Sequence, residues 1–340
     1  MNTITGLNEF HIYAQKYLNE WENKSTVRTK KTSRFSKSLL AKMDFSFSLK
    51  QYIHFPEIQA LKKKQLQAFY LQSFCDMLGG VANFEVNFVT DQCGKLANQE
   101  LGIELSDSIK QVAIAIGTDE MYHALVAREL LSNMKTLLAV IPTAERKRVD
   151  AAGSDTPSKV KKEATRVGPL EYFRSAVPNK LQRIAETTLL CILENAVVDD
   201  IIQMAKVAHA DDPVGIYFRE HLNDESRHKV FFQHLLKYIW SAITEKDRVV
   251  LGRAITGYFV EYITPKQEQL FELHRETLDR LGLPVEVSQS IALKVTEQEC
   301  KQKLHEVDFI KNPMRLMKIA GVIEHAPTRR LFIKKHLLIA

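Results

Sequence analysis

Two stretches of the sequence carry the same potential metal ligands in the same order. The pattern Asp-Glu-x-x-His occupies residues 119–123 and recurs at residues 224–228. A single glutamate precedes each copy: Glu85 lies 35 residues before the glutamate of the first pattern, and Glu194 lies 31 residues before that of the second. A glutamate and a histidine three residues apart share one face of a helix. Since carboxylates and imidazoles both bind divalent transition metals, the repeated pattern indicates metal chemistry.

His221 extends the second pattern by one further potential ligand. With Glu225 and His228 it stands at positions i, i+4 and i+7, which lie within an arc of about 60° on a helix. Helix bundles that hold two iron ions use one Glu from each of two helices and Glu-x-x-His from each of two others. The sequence contains this set and therefore predicts a dinuclear metal site. The predicted ligands are Glu85, Glu120, His123, Glu194, His221, Glu225 and His228.

The repetition makes this pattern more specific than one copy would be. In a chain of 340 residues, roughly zero to one Glu-x-x-His is expected by chance, but not two copies that each have a preceding Asp and a distant Glu. The alternative is that these residues are ordinary polar positions of helices. Against it, apolar residues fill the neighbouring segments 113–116, 189–193 and 230–232. Buried carboxylates and imidazoles in such surroundings are unfavourable unless they are paired or bind metal.

Each Glu-x-x-His is directly preceded by an aspartate, Asp119 or Asp224. A metal-bound histidine normally donates its second ring N–H to a carboxylate, a carbonyl or water. We expect Asp119 to reach across the core to His228, and Asp224 to reach His123. The alternative is that both aspartates are generic polar residues of helices.

The spacing around two turns tests whether these residues can meet. Helices are predicted over residues 56–96 and 106–141, with a turn at Gly102 between them. Glu85 lies 17 residues before Gly102 and Glu120 lies 18 after it, so an antiparallel hairpin brings both carboxylates to the same height. Gly79 and Gly80 interrupt the first helix, and we expect close helix packing or a kink there; room for a small ligand is the alternative.

A second hairpin is predicted over residues 180–208 and 213–243, with Asp211-Asp212-Pro213 as the cap signal between them. Glu194 lies 17 residues before Asp211 and Glu225 lies 14 after it, which matches within about one turn. The charged segment 143–179, with its Gly and Pro residues, is predicted to be the long crossover that joins the two hairpins.

Composition favours an all-α protein. The chain has 45% hydrophobic residues and only 13 Gly and 10 Pro, and helix-forming residues fill the intervals. We expect one helical domain over residues 1–340, with a ferritin-like four-helix bundle core at about 57–243. An N-terminal helix near residues 8–21 is predicted to cover the bundle rather than to form a site. Further helices at 246–263, 266–281, 287–305 and 312–324, within the C-terminal part 246–340, are predicted to pack on it.

Charge and cysteine usage limit the classes of partner. The net charge of +6 comes from scattered basic runs without interleaved aromatic residues, so no nucleic-acid partner is expected. The four cysteines show no Cys-x-x-Cys spacing and no secretory signal is evident, which predicts a reduced, cytoplasmic protein. No apolar run approaches the roughly 20 residues of a membrane span, so no membrane association is expected.

The complete pattern of seven ligands resembles that of the para-aminobenzoate N-oxygenase family of non-haem di-iron enzymes. The third histidine, here His221, distinguishes this family from ribonucleotide reductase small subunits and bacterial multicomponent monooxygenases, which have two. The resemblance extends over roughly residues 60–240 and implies that all seven residues are iron ligands. It also implies a ferritin-like homodimer that uses O₂ to oxidise an amine nitrogen to a hydroxylamine, nitroso or nitro group in secondary-metabolite biosynthesis.

The substrate and the electron source are less well defined by the sequence. No flavin, nicotinamide, haem or iron–sulfur motif is visible, so electrons are expected from an external donor or reductase. An aromatic acid would require a cation near the metal, yet the Glu85 helix has none between Lys64 and Lys95. The sequence therefore indicates another aryl amine, an aliphatic amine or an amino-acid derivative. Two alternatives remain: a di-iron hydroxylase or desaturase that acts on carbon, and a non-catalytic iron-storage protein.

Overall fold

The structure is a computed structural model that describes residues 2–29, 51–139, 168–196, 202, 213–264, 266–301 and 308–338. All regular secondary structure in these ranges is helical, as predicted. The α-helices are α1 (Asn2–Lys24), α2 (Thr26–Thr29), α3 (Pro56–Gln59), α4 (Lys63–Phe84), α5 (Thr90–Ala97), α6 (Asp107–Ala139), α7 (Pro169–Ser175), α8 (Gln182–Ala196), α9 (Pro213–Ala242), α10 (Glu245–Tyr258), α11 (Gln267–Arg280), α12 (Val285–Lys301), α13 (Asp308–Ile319) and α14 (Ala326–Lys334).

The first predicted helix is divided into three parts. The short helix α3 ends before Leu61, and α4 begins only at Lys63. The break follows from packing, because Phe55 and Ile58 are buried with Leu278 and Ile291 of the α11–α12 hairpin. Between α4 and α5 the chain forms one π-helical turn, Glu85–Val89, in which the hydroxyl of Thr90 donates to the Glu85 carbonyl at 2.9 Å. A π turn inserts one extra residue, and here it begins at a predicted ligand.

The glycine pair does not act as expected. Helix α4 continues through Gly79 and Gly80. A Cβ placed on Gly80 would have no atom within 4 Å, and one on Gly79 would meet only Leu131 Cδ2 at 3.9 Å. The prediction of close helix packing at this pair was therefore wrong, because the neighbouring helix keeps an ordinary distance.

The turn between α5 and α6 contains Gly102, with φ of +73°, as the sequence indicates. Gln99 also has a positive φ, of 61°, and its side chain stabilises the turn by donating to Ile103 O at 2.5 Å and accepting from Leu105 N at 3.2 Å. The two hairpin arms lie side by side, because α4 and α5 both pack along α6.

The second hairpin pairs α8 with α9. Helix α9 starts at Pro213 and ends within one residue of its predicted end. Residues 143–167 of the expected crossover lie outside the described ranges, as do the predicted end of the third helix at Ala208 and the cap at Asp211 and Asp212. The described end of the crossover contains α7 and the 3₁₀ turn Asn179–Leu181.

Helix α1 packs against both α6 and α9 and thus contacts one arm of each hairpin. Buried apolar side chains from α1, α5, α6, α8 and α9 form the large core on one side of the predicted ligands. A smaller core on α4, α6 and α9, with Phe74, Leu78, Leu130 and Phe218, lies on these helices beyond the ligands.

The predicted C-terminal helices are present over their described residues, but the last of them ends at Ile319 and not at Glu324, because the chain turns at Gly321 with a φ of +77°. Helix α14 is one that the sequence analysis did not anticipate. Helix α13 begins at Asp308 instead of Asn312 and contains Pro313, and Ile310 in its first turn is buried together with Leu316 and Met317. Across the described residues, no helix has both the length and the apolar character that a membrane crossing requires.

Candidate metal centre

The two hairpins bring all seven predicted ligands together at a buried position. Each of these side chains belongs to a residue that is at most 5% exposed to solvent. Their donor atoms form two groups, and within each group all the atoms lie within 4.8 Å of one another. The first group is Glu85, His123 and His221, and the second is Glu120, Glu194, Glu225 and His228. Either group could hold a metal ion.

Glu120 and Glu225 belong to the second group and also contact histidines of the first. One oxygen of Glu120 is 2.8 Å from Nδ1 of His228, and the other is 3.6 Å from Nδ1 of His123. Oε1 of Glu225 is 3.1 Å from Nε2 of His221, 3.6 Å from His228 Nδ1 and 3.8 Å from His123 Nδ1. These two carboxylates can therefore bridge a pair of ions. Glu85 belongs to the first group only, with Oε1 3.4 Å from His221 Nε2.

Two histidines make the aspartate contacts that the sequence predicts. Nε2 of His123 is 3.0 Å from Oδ2 of Asp224, and Nε2 of His228 is 3.2 Å from Oδ2 of Asp119. Both aspartates are fully buried. Each pair joins α6 to α9 and turns the Nδ1 atom of the imidazole toward the bridging carboxylates. Such a contact fixes the ring orientation and tautomer of a metal-binding histidine.

His221 is held differently. Its Nε2 atom faces the cluster, and its Nδ1 atom is 3.3 Å from the hydroxyl of Tyr217, one turn earlier on α9. The ring stacks on that of His123, with 4.2 Å between the ring centroids and 19° between the planes. The third histidine thus has a phenol as its partner where the other two have carboxylates.

Residues of the N-terminal helices donate hydrogen bonds to the two buried aspartates, which the sequence analysis did not predict. The indole Nε1 of Trp21 lies 3.0 Å from both carboxylate oxygens of Asp119, and the hydroxyl of Ser25 donates to the same carboxylate at 2.5 Å. The backbone N–H of Thr26 donates to Asp224 at 3.2 Å. These contacts span 94 to 198 residues of sequence, and the only local sign of them is that Trp21 and Ser25 are one helical turn apart.

Burial and mutual repulsion set the charges of the carboxylates. Desolvation, with the negative charge of neighbouring carboxylates, raises the pKa of Glu85 and of Glu194 well above the ordinary value. Burial opposes ionisation of Glu120 and Glu225 as well. At these two residues the hydrogen bonds and charges of the histidines outweigh burial, so the pKa of each is lowered. The surroundings thus favour the charged form of Glu120 and Glu225 and the neutral form of Glu85 and Glu194.

The three imidazoles also differ in the direction of their pKa shifts. Burial alone lowers the pKa of a histidine. At His123 the surrounding carboxylates outweigh burial, and at His228 Tyr17 and the carboxylates do so, and the pKa of both rings is raised well above the ordinary value. The pKa of His221 is lowered, first by burial and then by the positive charge of His123. Asp224 also has a lowered pKa, of about 2, because its contact with His123 outweighs burial.

The cluster leaves several buried donor and acceptor atoms without a hydrogen-bond partner in the described structure. They are both carboxylate oxygens of Glu85, Oε2 of Glu194 and of Glu225, and Nδ1 of His123. Each buried polar atom without a partner costs about 1–3 kcal/mol. Metal ions between the two groups would bind these atoms, so the residues present fit a metal centre.

Comparison with known proteins adds no assignment: the chain matches no model of a protein family, and no curated protein is significantly similar to it. A surface cleft of about 1280 Å³ lies between α1 and the start of α6, lined in part by His11, Ser106 and Lys110. None of the seven predicted ligands lines this cleft. The functional conclusion therefore depends on the buried cluster itself.

Proposed function

We propose that the protein is a ferritin-like, non-haem di-iron N-oxygenase. In this proposal it uses O₂ and external electrons to oxidise the amine nitrogen of a small substrate to a hydroxylamine, nitroso or nitro group, in secondary-metabolite biosynthesis. The observation that carries the proposal is the pair of buried ligand groups joined by the bridging-type carboxylates Glu120 and Glu225.

Charge and donor type support two iron ions. Four carboxylates supply about four negative charges, which balance two divalent cations, and three imidazoles add neutral nitrogen donors. A set of mixed oxygen and nitrogen donors without thiolate suits iron, and the arrangement in two hairpins matches the carboxylate-rich di-iron bundles. When bound, a di-iron centre would supply the activation of O₂ and the storage of two electrons.

The side chains of the protein would hold and protect that centre. Glu120 and Glu225 would fix the distance between the ions, while Asp119 and Asp224 would orient two of the imidazoles. The apolar cores that flank the site would exclude water, which would otherwise react with the oxidant formed from O₂. His221 is the feature that favours N-oxygenation over other di-iron chemistry, because it completes the seven-ligand pattern and would add a nitrogen donor that makes a bound iron more electron-rich.

The same residues support the expected substrate class. Arg227 is the arginine next to the ligands in sequence, and it is paired with the carboxylate of Asp224. This supports an amine substrate without an acidic group that requires a cation at the centre. We further propose an external electron donor or reductase and a cytoplasmic location, as the sequence indicates, and a homodimer, as the resemblance implies.

Incubation of reduced, iron-loaded protein with ¹⁸O₂ and a panel of aryl and aliphatic amines tests this function. We expect about two irons per chain and products whose masses and fragmentation place ¹⁸O on nitrogen. A Glu225→Ala variant, which lacks a bridging carboxylate, should form no such product. Label on carbon would favour a hydroxylase, and many irons per chain would favour iron storage; either result would overturn the proposal.

A further inference from the structure

The junction between α1 and α2 contacts both aspartates that hold the site histidines. Trp21 and Ser25 donate to Asp119, which bonds His228. One residue further along the chain, the backbone N–H of Thr26 lies 3.2 and 3.3 Å from the two carboxylate oxygens of Asp224, which bonds His123. Six consecutive residues, 21–26, thus reach both aspartate–histidine pairs.

These donors supply hydrogen bonds that the buried aspartates need and that the ligand-bearing helices do not provide in full. A carboxylate can accept about four hydrogen bonds, and a buried one is costly unless most of them are made. Asp119 is fully buried, and the imidazole of His228 supplies one hydrogen bond to it. Trp21 and Ser25 complete its shell with uncharged donors, so the negative charge of the carboxylate remains directed at His228.

Asp224 has a different shell. Besides the N–H of Thr26, it accepts a hydrogen bond from the guanidinium of Arg227 and one from the amide of Asn223 at 3.3 Å. Asn223 and Arg227 also donate to the Lys24 carbonyl at the end of α1, at 2.8 and 3.3 Å. The hydroxyl of Thr26 donates to the Glu220 carbonyl on α9 at 3.2 Å. The α1–α2 junction is therefore hydrogen-bonded to α9 on both sides of Asp224.

We propose that Trp21, Ser25 and Thr26 are positioning residues for the metal centre: they fix Asp119 and Asp224, and through them His228 and His123. One segment of backbone then sets the orientation of one histidine for each of the two ions. This inference rests on the metal site of the proposed function but not on its reaction. Loss of the donors to one aspartate should affect one ion and leave the other unchanged.

Separate variants test the donors to Asp119 and the donor to Asp224. The double variant Trp21→Phe, Ser25→Ala keeps the aromatic packing and removes the side-chain donors to Asp119. Thr26→Pro removes the backbone donor to Asp224, and proline is compatible with the first position of a helix, which Thr26 occupies in α2. Leu18→Ala is the matched control, because Leu18 packs from α1 onto the core without contacting either aspartate in the described contacts.

The probe is Co²⁺ added to the full-length, metal-free protein, followed by calorimetry and by proton NMR. In Co²⁺ proteins, the N–H protons of metal-bound histidines give shifted signals that exchange with solvent. We expect two ions per chain in the parent, and in the Trp21/Ser25 variant a roughly 10-fold weaker binding of one ion together with faster exchange of one N–H signal. Thr26→Pro should affect the other ion and a different N–H signal, and Leu18→Ala should alter neither signal.

Unchanged affinity and exchange in the Trp21/Ser25 variant would overturn the inference, as would an equal effect of Leu18→Ala. If Thr26→Pro does not fold, the comparison of the Trp21/Ser25 variant with Leu18→Ala decides the question by itself. If the parent binds no Co²⁺ or Fe²⁺, the proposed function fails first. If the parent binds two ions and the variants match it, only the positioning role fails.

Discussion

At the scale of single residues, the centre contains two kinds of histidine. His123 and His228 turn Nδ1 toward the bridging carboxylates and Nε2 toward an aspartate. His221 turns Nε2 inward and has the phenol of Tyr217 at Nδ1. Because a carboxylate partner makes an imidazole a stronger donor than a neutral phenol does, His221 should be the weakest nitrogen donor of the three.

Replacement of His221 by Ala should act on one proposed ion only, because His221 belongs to one of the two ligand groups. It removes one of three ligands from the group that contains Glu85 and leaves the group that contains Glu194 complete. We expect one ion to bind as in the parent and the second to bind at least about 10-fold more weakly, measured by competition with a chromophoric chelator. His234→Ala is the control on the same helix, since this half-buried ring stacks on Tyr13 away from the cluster. Equal weakening of both ions would contradict the division into two groups.

Metal binding should also release protons. Glu85, Glu194, His123 and His228 all have a raised pKa in the metal-free cluster, so each holds a proton that a metal ion must displace. We expect release of up to about four protons per pair of divalent ions, and binding that weakens steeply as the pH falls. Calorimetry in buffers of different ionisation enthalpy measures this number. Binding without net proton release would contradict the charges assigned to the cluster.

At the scale of elements, the sequence predicts the hairpins well because their signals are local. The distances of Glu85 and Glu120 from Gly102 place the two carboxylates together, and the positive φ of Gly102 confirms the turn. The π turn at Glu85–Val89 has no comparable signal, since no residue type marks the insertion of one residue into a helix. The contacts of Trp21 and Thr26 could not be predicted either, because they depend on how α1 packs across the finished core.

The helices around the site are joined by a buried carboxylate outside the metal cluster. Glu186 on α8 is 2% exposed and accepts hydrogen bonds from Arg174 on α7 at 2.7 Å and from Arg183 at 3.0 Å. The ammonium of Lys95 on α5 lies 3.5 Å away. Burial opposes ionisation of Glu186, but the two arginines outweigh it and lower its pKa. A lowered pKa means that Glu186 stabilises the fold above the ordinary carboxyl pKa and loses this effect as the pH falls.

Glu186→Gln should therefore destabilise the protein by about 1–3 kcal/mol at neutral pH, since it leaves cations without their buried partner. The difference from the parent should shrink as the pH is lowered toward the range in which Glu186 is protonated. Urea unfolding of the metal-free proteins at several pH values measures both effects. Glu100→Gln is the control, because the Glu100 carboxylate is 41% exposed and 3.6 Å from Arg183, and exposed pairs contribute less than about 1 kcal/mol. A pH-independent difference would show that shape, not charge, decides the loss.

At the scale of the whole molecule, the buried cluster of carboxylates and imidazoles should be a source of instability unless it binds metal. A carboxyl group with a raised pKa in the folded chain contributes stability only at low pH, and this contribution is lost as the pH rises through the folded-state pKa. Glu85 and Glu194 are such groups, and both retain carboxylate oxygens without a hydrogen-bond partner in the described structure. The fold should thus lose stability with rising pH when metal-free and regain it on binding metal.

Glu194→Gln isolates this trade-off, because glutamine resembles the protonated carboxyl and cannot ionise. We expect the metal-free variant to be more stable than the metal-free parent at pH above neutrality, with the difference vanishing in acid, where Glu194 is protonated in both states. With metal the order should reverse: at 100 times Kd the parent gains about 2.7 kcal/mol, while the variant, which lacks one anionic ligand, gains less. Unfolding curves with and without Fe²⁺ under anaerobic conditions measure all four states, with the exposed Glu129→Gln on α6 as the control. If Glu194→Gln destabilised the metal-free protein at every pH, the prediction would be contradicted. The carboxyl of Glu194 would then stabilise the fold, and it would not be a ligand that lowers stability when no metal is bound.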